Sequence, residues 1–337
     1  MYPKGSYLNS SKNLKIYDNI LSCELRAIDG TYIINEKYVD LNVLYHNFNG
    51  VLTPDNYTNS YFIKLGSEQL GNCLRIIISG IIIANNLKMN VFIINNPLLR
   101  EKEKKVISHF FRQYLINGNN SIDYVKLNYD NSVKYDKFYG TNYDLICEGI
   151  FTPPTNVDKF GITYSIYSII PENMSHDLYI INKIKIYKSL RLPPILEENI
   201  KSFIDKNNLN NCIGVHIRYT DNLKDRCKIH NNFITPYDIF INKINSIDQN
   251  MNLLVCSDSN LILDKLRLRN NIIFADKCFN NNFQGLYEMY LLANCKYIIG
   301  SNSSTFSYES AFINGTNIEL YENNNWKMYE LEKYRDK

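Results

Sequence analysis

The sequence predicts an α/β protein made of two doubly wound halves, and three observations carry that prediction. Strand-like and helix-like patterns alternate from about residue 59 onward, as they do in parallel sheets with helical crossovers. The alternation is cleanest after residue 211, where five short apolar runs are separated by four helical or polar segments. A Leu192-Pro193-Pro194 break lies near the middle of the 337 residues, a length that suits two domains.

In chain order, Tyr61 to Leu65 reads as a strand. Leu70, Leu74, Ile77, Ile78 and Ile81 then recur at helical spacing. Val91 to Ile94 is the next strand and Pro97 to Tyr114 the next helix. Residues 1–60 and 120–175 show no clear period, with Tyr143 to Ile150 as a further candidate strand. Asp177 to Leu190 has a helical pattern that stops before the Pro-Pro pair, because proline ends helices and restricts the residue before it. That pair sets the expected boundary, dividing the chain into 1–192 and 193–337. A helix is expected from about Ile195 to Asp205. Strands follow at Cys212 to Ile217, Leu253 to Cys256, Ile272 to Phe274, Tyr297 to Gly300 and Ile318 to Tyr321. Helices fall between them at Pro236 to Ile247, Leu261 to Leu268, Phe283 to Ala293 and Thr305 to Phe312. Such a series makes a Rossmann-like half.

Composition narrows the function. Hydrophobic residues are 45% and charged residues 21% of the chain, as in globular proteins. A net charge of +3 leaves no domain-wide basic excess, so nucleic acid is not an expected partner. The cluster Glu101 to Lys105 carries both signs and reads as the solvated face of a helix. The richest apolar run, Ile76 to Ala84, is half the roughly 18 residues that a membrane span needs and reads as a buried helix. With no span and no signal-like N-terminus, a cytoplasmic location is expected. The eight cysteines include no C-x-x-C pair and are irregularly spaced, against a disulfide framework or a zinc site. Cys147, Cys212 and Cys256 sit in apolar runs and are expected in the core.

Ligands of open parallel sheets bind beyond the carboxyl ends of the strands, so residues just after each strand carry the chemistry. Here they are polar: His216-Ile217-Arg218-Tyr219-Thr220-Asp221, Ser257-Asp258-Ser259, and Gly300-Ser301-Asn302-Ser303-Ser304-Thr305. The last series opens a helix, where free amides and the dipole favour an anion such as phosphate. An ordinary N-cap is the plainer explanation of those hydroxyls. In the first series His216, Arg218 and Thr220 share one strand face, and Val215, Ile217 and Tyr219 the other. A buried-strand cation needs an anion, and the planar fork of arginine matches phosphate. A rim salt bridge from Arg218 to Asp221 accounts for it equally well.

The segment Ile213-Gly214-Val215-His216-x-Arg218-x-x-Asp221 resembles the H-x-R-R-x-D signature of α1,2- and α1,6-fucosyltransferases and their nodulation and protein O-fucosyl relatives. Three further blocks resemble the family in family order. These are Leu70-Gly71-Asn72-Cys73-Leu74-Arg75 with its apolar helix, Leu254-Val255-Cys256-Ser257-Asp258, and Glu288 to Ala293 through Gly300 to Ser307. Together they span about residues 61–321. The resemblance implies a GT-B fold, two Rossmann-like domains facing a cleft, with a nucleotide-sugar donor held mainly by the C-terminal one. It implies that Arg218 grips the donor β-phosphate and that His216 lines the same pocket. Asp221 completes the signature, Asp258 and Glu288 lie near the nucleotide, and Ser303, Ser304 and Thr305 form a phosphate turn. Gly71 and Asn72 match the loop that approaches the donor from the N-terminal domain. Two positions depart from the pattern. Tyr219 stands where the signature has its second arginine, and Gly66-Ser67-Glu68-Gln69 rearranges the N-terminal loop.

The activity so implied is inverting transfer of a sugar, fucose from GDP-fucose by family preference, to a glycan or protein-linked acceptor. No D-x-D pair is placed to hold Mg²⁺, so no cofactor or metal is expected. Arg218 and the helix start at Ser304 are expected to stabilise the leaving diphosphate instead. Asp225 and Glu68 are candidate general bases, and either can equally be a surface charge. The competing readings are a transferase fold that binds nucleotide or glycan without turnover, a transferase for another nucleotide sugar, and a ligand-free interaction module. A dinucleotide enzyme would need G-x-G-x-x-G between strand and helix, which neither half has.

Overall fold

A computed structural model describes residues 2–3, 5–18, 20–26, 30–39, 45–48, 51–54, 60–65, 69–86, 90–94, 99–116, 150–151, 160–163, 170–171, 174–219, 235–267, 269–279, 283–302 and 304–337. The chain forms two compact units, Met1–Tyr179 and Ile180–Lys337. The division falls upstream of the Pro193-Pro194 pair, inside a helix whose later turns pack into the second unit.

The first unit opens on an antiparallel sheet of β1 (Ser11–Tyr17), β2 (Ile20–Arg26) and β3 (Tyr32–Tyr38), followed by a hairpin of β4 (Tyr45–Phe48) and β5 (Val51–Pro54). Tyr7, Leu21, Cys23, Leu25, Val39, Tyr45 and Leu52 pack between them. Two polar side chains on the inner face of β3 fasten the hairpin. Asn35 Oδ1 accepts from Leu52 N at 2.9 Å, and Lys37 Nζ donates to Leu52 O at 3.1 Å. Burial pushes the Lys37 ammonium down to about 7, with Cys23 opposing the shift.

A parallel sheet follows, made of β6 (Ser60–Lys64), β7 (Asn90–Ile94), β8 (Leu115–Ile116) and β10 (Phe160–Thr163), in the order β10-β6-β7-β8. Helices α1 (Leu70–Asn86) and α2 (Glu101–Phe111) make its crossovers. Every residue of α1 from Cys73 to Ala84 is buried. The run Ile76 to Ala84 is therefore a core helix, each of its isoleucines contributing about 1.5–3 kcal/mol of burial. A small parallel pair, β9 (Ile150–Phe151) and β11 (Ile170–Pro171), completes the unit. The expected helix from Pro97 begins at Glu101, and of the expected strand Tyr143 to Ile150 only Ile150 lies among the described residues.

Helix α3 (His176–Ser189) carries the chain into the second unit, and α4 (Pro194–Asn207) begins on the Pro-Pro pair, with Pro194 in its first turn. Proline suits that position because its missing N–H would be unpaired there anyway. Asn208 ends the helix in the left-handed region at φ 50°, its N–H returning to Ile204 O. The sheet that follows has six strands: β12 (Ile213–Ile217), β13 (Leu253–Ser257), β14 (Ile272–Phe274), β15 (Tyr297–Gly300), β16 (Ile318–Glu322) and β17 (Asn325–Tyr329). Their order is β14-β13-β12-β15-β16-β17, parallel except for the last strand. Winding runs outward from β12 to β14, then crosses back to β15, so the direction reverses between β12 and β15.

Helices α5 (Tyr237–Ser246), α6 (Asn260–Leu266), α7 (Gln284–Ala293) and α8 (Thr305–Asn314) form the connections. Ile213, Val215 and Ile217 point to one face, packing with Phe240 and Ile244 of α5 and Ile262 and Leu266 of α6. Gly214 and His216 point to the other. A Cβ on Gly214 would stand 2.9 Å from Leu292 Cδ2, so its hydrogen side chain lets α7 approach β12. The final hairpin turns through Asn323 and Asn324, at φ 49° and 63°, between the paired residues Glu322 and Asn325. Two consecutive left-handed asparagines make the tight turn that matches strand twist. Six cysteines are free among the described residues; Cys212 and Cys256 are buried as expected, and Cys147 and Cys227 lie outside those residues. No helix among the described residues is long and apolar enough to cross a membrane.

Candidate functional site

Arg218 and Tyr219 follow β12, Asp258 follows β13, and Ser301, Asn302 and Ser304 follow β15. These three strands are neighbours at the centre of the sheet, so their ends meet at the reversal point where doubly wound sheets bind ligands.

Ser301 joins two of the strand ends. Its buried hydroxyl accepts Arg218 N at 2.8 Å and donates to His216 O at 3.1 Å, continuing the ladder beyond Gly300. Ser257 Oγ donates to Ile217 O at 2.8 Å on the other side. Asp258 then grips the same segment twice. Oδ1 accepts Tyr219 N at 2.7 Å, and Oδ2 lies 3.4 Å from Arg218 Nε. The guanidinium and the carboxylate are both partly exposed. The described ion pair of Arg218 is thus with Asp258, forty residues on, while Asp221 lies outside the described residues.

His216 is buried behind this edge. Its Nδ1 shares a 2.7 Å hydrogen bond with Ser307 Oγ, and its ring stacks on Phe306 at 4.6 Å between centroids. Burial lowers its pKa from 6.5 to about 3, with the Arg218 charge adding to the shift and Asp258 opposing it. The ring is neutral at physiological pH, so its role is to fasten α8 to β12 and not to supply a second cation. Ser307 Oγ also accepts Ser301 N at 3.1 Å, closing a circuit through β12, the β15 end and α8. Gly300 makes the approach possible, since a Cβ there would lie 2.8 Å from Ser307 Cβ.

Ser304 is the N-cap residue of α8 and is buried, and its hydroxyl makes no capping hydrogen bond. The first-turn amides have no partner one turn earlier and lie at the positive end of the helix dipole. Thr305 is the first helical residue and half-buried. Asn302 is held from both ends: its N–H donates to buried Thr235 Oγ1 at 3.2 Å, and its Oδ1 accepts from Tyr308 OH at 2.9 Å. The result is a strand edge where the Arg218 backbone is tied to Ser301 on the β15 side while its guanidinium turns to Asp258 on the β13 side, with the start of α8 following four residues after Ser301.

The remaining sequence candidates divide. Glu288, in the second turn of α7, accepts from Gln284 Nε2 at 3.0 Å and lies beside Cys256 of β13, two residues before Asp258. Burial raises its pKa, with Gln284 and Lys277 opposing. Gly71 and Asn72 occupy the first turn of α1, after β6. Glu68, Asp225 and Ser303 lie outside the described residues. Sequence reasoning missed Ser257, Thr235, and Ser301 and Ser307 as the residues that tie the strand ends together. Ser301 had a signal, its position directly after a buried strand, whereas nothing local marks Thr235. Among the described residues, no group of three His, Cys, Asp or Glu side chains converges as metal ligands do.

No family model and no curated protein matches this sequence. Among solved structures, the chain is similar to the fucosyltransferase NodZ from Bradyrhizobium, at 15% identity and a TM-score of 0.44, over 81% of this chain and 99% of that one. It is similar to a mutant of Arabidopsis thaliana FUT1 in complex with GDP, at 12% identity and a TM-score of 0.46, over 79% and 71% of the two chains. It is also similar to POFUT1 in complex with GDP-fucose, at 12% identity and a TM-score of 0.43, over 77% and 95%.

Proposed function

We propose that the chain is an inverting, metal-independent glycosyltransferase of the fucosyltransferase-like kind, acting on a nucleotide sugar, GDP-fucose by preference. The single observation that carries the reading is that the ends of β12 and β15 are tied together at the reversal point of the second sheet, Arg218 N to Ser301 Oγ, with the start of α8 directly downstream. The four sequence blocks that resemble the family support it, three of them ending at this edge. In this reading the second unit is the donor domain, and the first, with Gly71 and Asn72, is the acceptor-side domain of a GT-B transferase.

The chemistry follows from charge. As the sugar–phosphate bond breaks, its electron pair leaves on the diphosphate while the sugar takes oxocarbenium character. Arg218 and the first-turn amides of α8 then meet more negative charge than in the ground state, so they lower the barrier. The acceptor hydroxyl attacks the anomeric carbon from the opposite face and gives its proton to a base, for which Asp225 and Glu68 stay the candidates. Asp258 aims Arg218 through the two contacts it makes with the β12 extension. A second reading, nucleotide binding without turnover, is favoured by Tyr219, which replaces an expected cation and packs against Tyr237.

Calorimetric titration of GDP, UDP and GDP-fucose in EDTA, with Arg218→Ala as control, tests the reading. GDP is expected to bind without metal, and the variant to lose about 10²–10³ in transfer rate, as anion-clamp donors typically do. UDP preference would keep the clamp and change the donor. Absence of binding by any nucleotide would end the transferase reading. GDP binding without hydrolysis or transfer to any acceptor would select the second.

A further inference from the structure

Helix α8 is gripped from two opposite flanks. Ser307 through Ile313 are all buried, nearly two turns, so the helix has no exposed side against which an apolar stripe could set its rotation. Ser307 and Glu309, two positions apart, lie roughly 200° apart around a helix of 3.6 residues per turn. On the first flank Ser307 bonds His216 and Ser301. On the second, Glu309 Oε1 accepts from Lys183 Nζ at 2.8 Å and Oε2 accepts from Tyr187 OH at 2.6 Å, with all three side chains buried. Lys183 Nζ also stands 4.2 Å above the Phe312 ring, one turn further along that flank. Lys183 and Tyr187 are four positions apart on α3 and so share one of its faces.

A buried ion pair adds little stability, because desolvating the two charges offsets most of their attraction. Its best-attested use is to select one arrangement among several that apolar packing would accept. Turning α8 by one residue position would strand the Glu309 carboxylate and part Ser307 from His216 in the same motion. We propose that Lys183, Tyr187 and Glu309 are positioning residues for the donor site, fixing the rotation of α8 and hence the aim of its first-turn amides at the diphosphate. None of the three touches the donor; they act through the helix, and the inference rests on the donor-site reading above.

The test pairs Lys183→Met with Glu309→Leu, replacing the ion pair by apolar side chains of similar length. Three quantities are compared with the unaltered chain: melting temperature, amide hydrogen exchange from Ser304 to Tyr308, and GDP affinity, with Arg218→Ala as the non-binding control. The double variant is expected to stay folded and to melt near the original temperature, with replacement of the ion pair offsetting the loss of the Glu309 acceptor by the Tyr187 hydroxyl. Its exchange at the start of α8 should be at least about tenfold faster, and its GDP affinity about 10- to 100-fold weaker, the size of loss that small misplacements produce. A folded double variant with unchanged exchange and unchanged affinity overturns the proposal. If the unaltered chain binds no nucleotide, the donor reading falls by itself and the exchange comparison still decides whether the pair orients the helix. If the double variant does not fold, Tyr187→Phe decides, since it removes one hydroxyl only: faster exchange at Tyr308, whose amide bonds Ser304 O, supports the proposal and unchanged exchange overturns it.

Discussion

Helices α1 and α8 each leave a strand that borders the reversal point of its own parallel sheet, and they are buried through different proportions of apolar and polar side chains. Helix α1 is buried through six isoleucines, Ile76 to Ile78 and Ile81 to Ile83, together with Arg75 and with Ser79, whose Oγ lies 2.8 Å from Tyr179 OH. Helix α8 is equally buried, yet through Ser307, Tyr308, Glu309 and Ser310 as much as through Ala311, Phe312 and Ile313. Apolar burial has no direction, so it holds a helix in place while tolerating small rotations. Hydrogen bonds and ion pairs have direction and fix the rotation as well. The difference teaches that polar side chains on a buried helix can fix its rotation as well as its place.

The largest effect that would break this comparison comes from one charge. Glu309→Ala leaves Lys183 buried without its carboxylate and should destabilise the second unit by about 3–5 kcal/mol. Ile77→Ala in α1 should lose about 2–5 kcal/mol by opening a cavity. Denaturant unfolding reads both, and a Glu309→Ala variant as stable as the original would show that α8 does not depend on its polar grip. Gly300→Val comes next. A side chain there runs into Ser307 Cβ and Ile318 Cδ1, the latter at 2.9 Å, and should cost up to about 3 kcal/mol while displacing α8 from β15.

Acid provides a milder test. His216 has a folded pKa depressed to about 3 against 6.5 for the free group, so unfolding takes up a proton between those values. Stability is complete above pH 6.5 and falls as pH drops towards 3, by about 2 kcal/mol between pH 7 and pH 5. A His216→Gln variant should flatten that slope, and an unchanged slope would show the imidazole to be less buried than described. The smallest effects separate the two serines. Ser307→Ala frees both His216 Nδ1 and Ser301 N and should cost about 1.5 kcal/mol, whereas Ser79→Ala removes one bond and should cost about 1 kcal/mol.

The same contrast explains what could be read in advance. Each strand of the second sheet up to β16 lies within a residue of its expected span, because central parallel strands are continuous apolar runs. β17 was not foreseen, although Asn323-Asn324 between apolar segments was a usable turn signal. β1 was missed for a different reason, whereas β2 carries a usable alternation in its buried Leu21, Cys23 and Leu25. Ser11 to Tyr17 is partly or fully exposed at every position, so it carries no burial alternation to detect. At the site, the sequence placed Arg218, Asp258 and Ser304 directly after strands, and the strand order of the sheet makes those ends neighbours. It could not supply the Arg218–Asp258 pairing, because Asp221 was the nearer carboxylate along the chain. His216 was legible as a strand residue facing with Arg218, but its bond to Ser307 spans 91 residues and no local pattern encodes it.

The ion pair between α3 and α8 also sets a schedule for biosynthesis. Lys183 and Tyr187 are 126 and 122 residues ahead of Glu309. At ribosomal speeds of about 5–20 residues per second, the helix bearing them is complete roughly 6–25 s before its partner carboxylate exists. Through that interval a lysine destined for complete burial must stay hydrated, and α3 cannot take its final seat on the second unit. Closure of the two flanks around α8 is therefore among the last events as the nascent chain folds, a long-range step of the kind that slows folding.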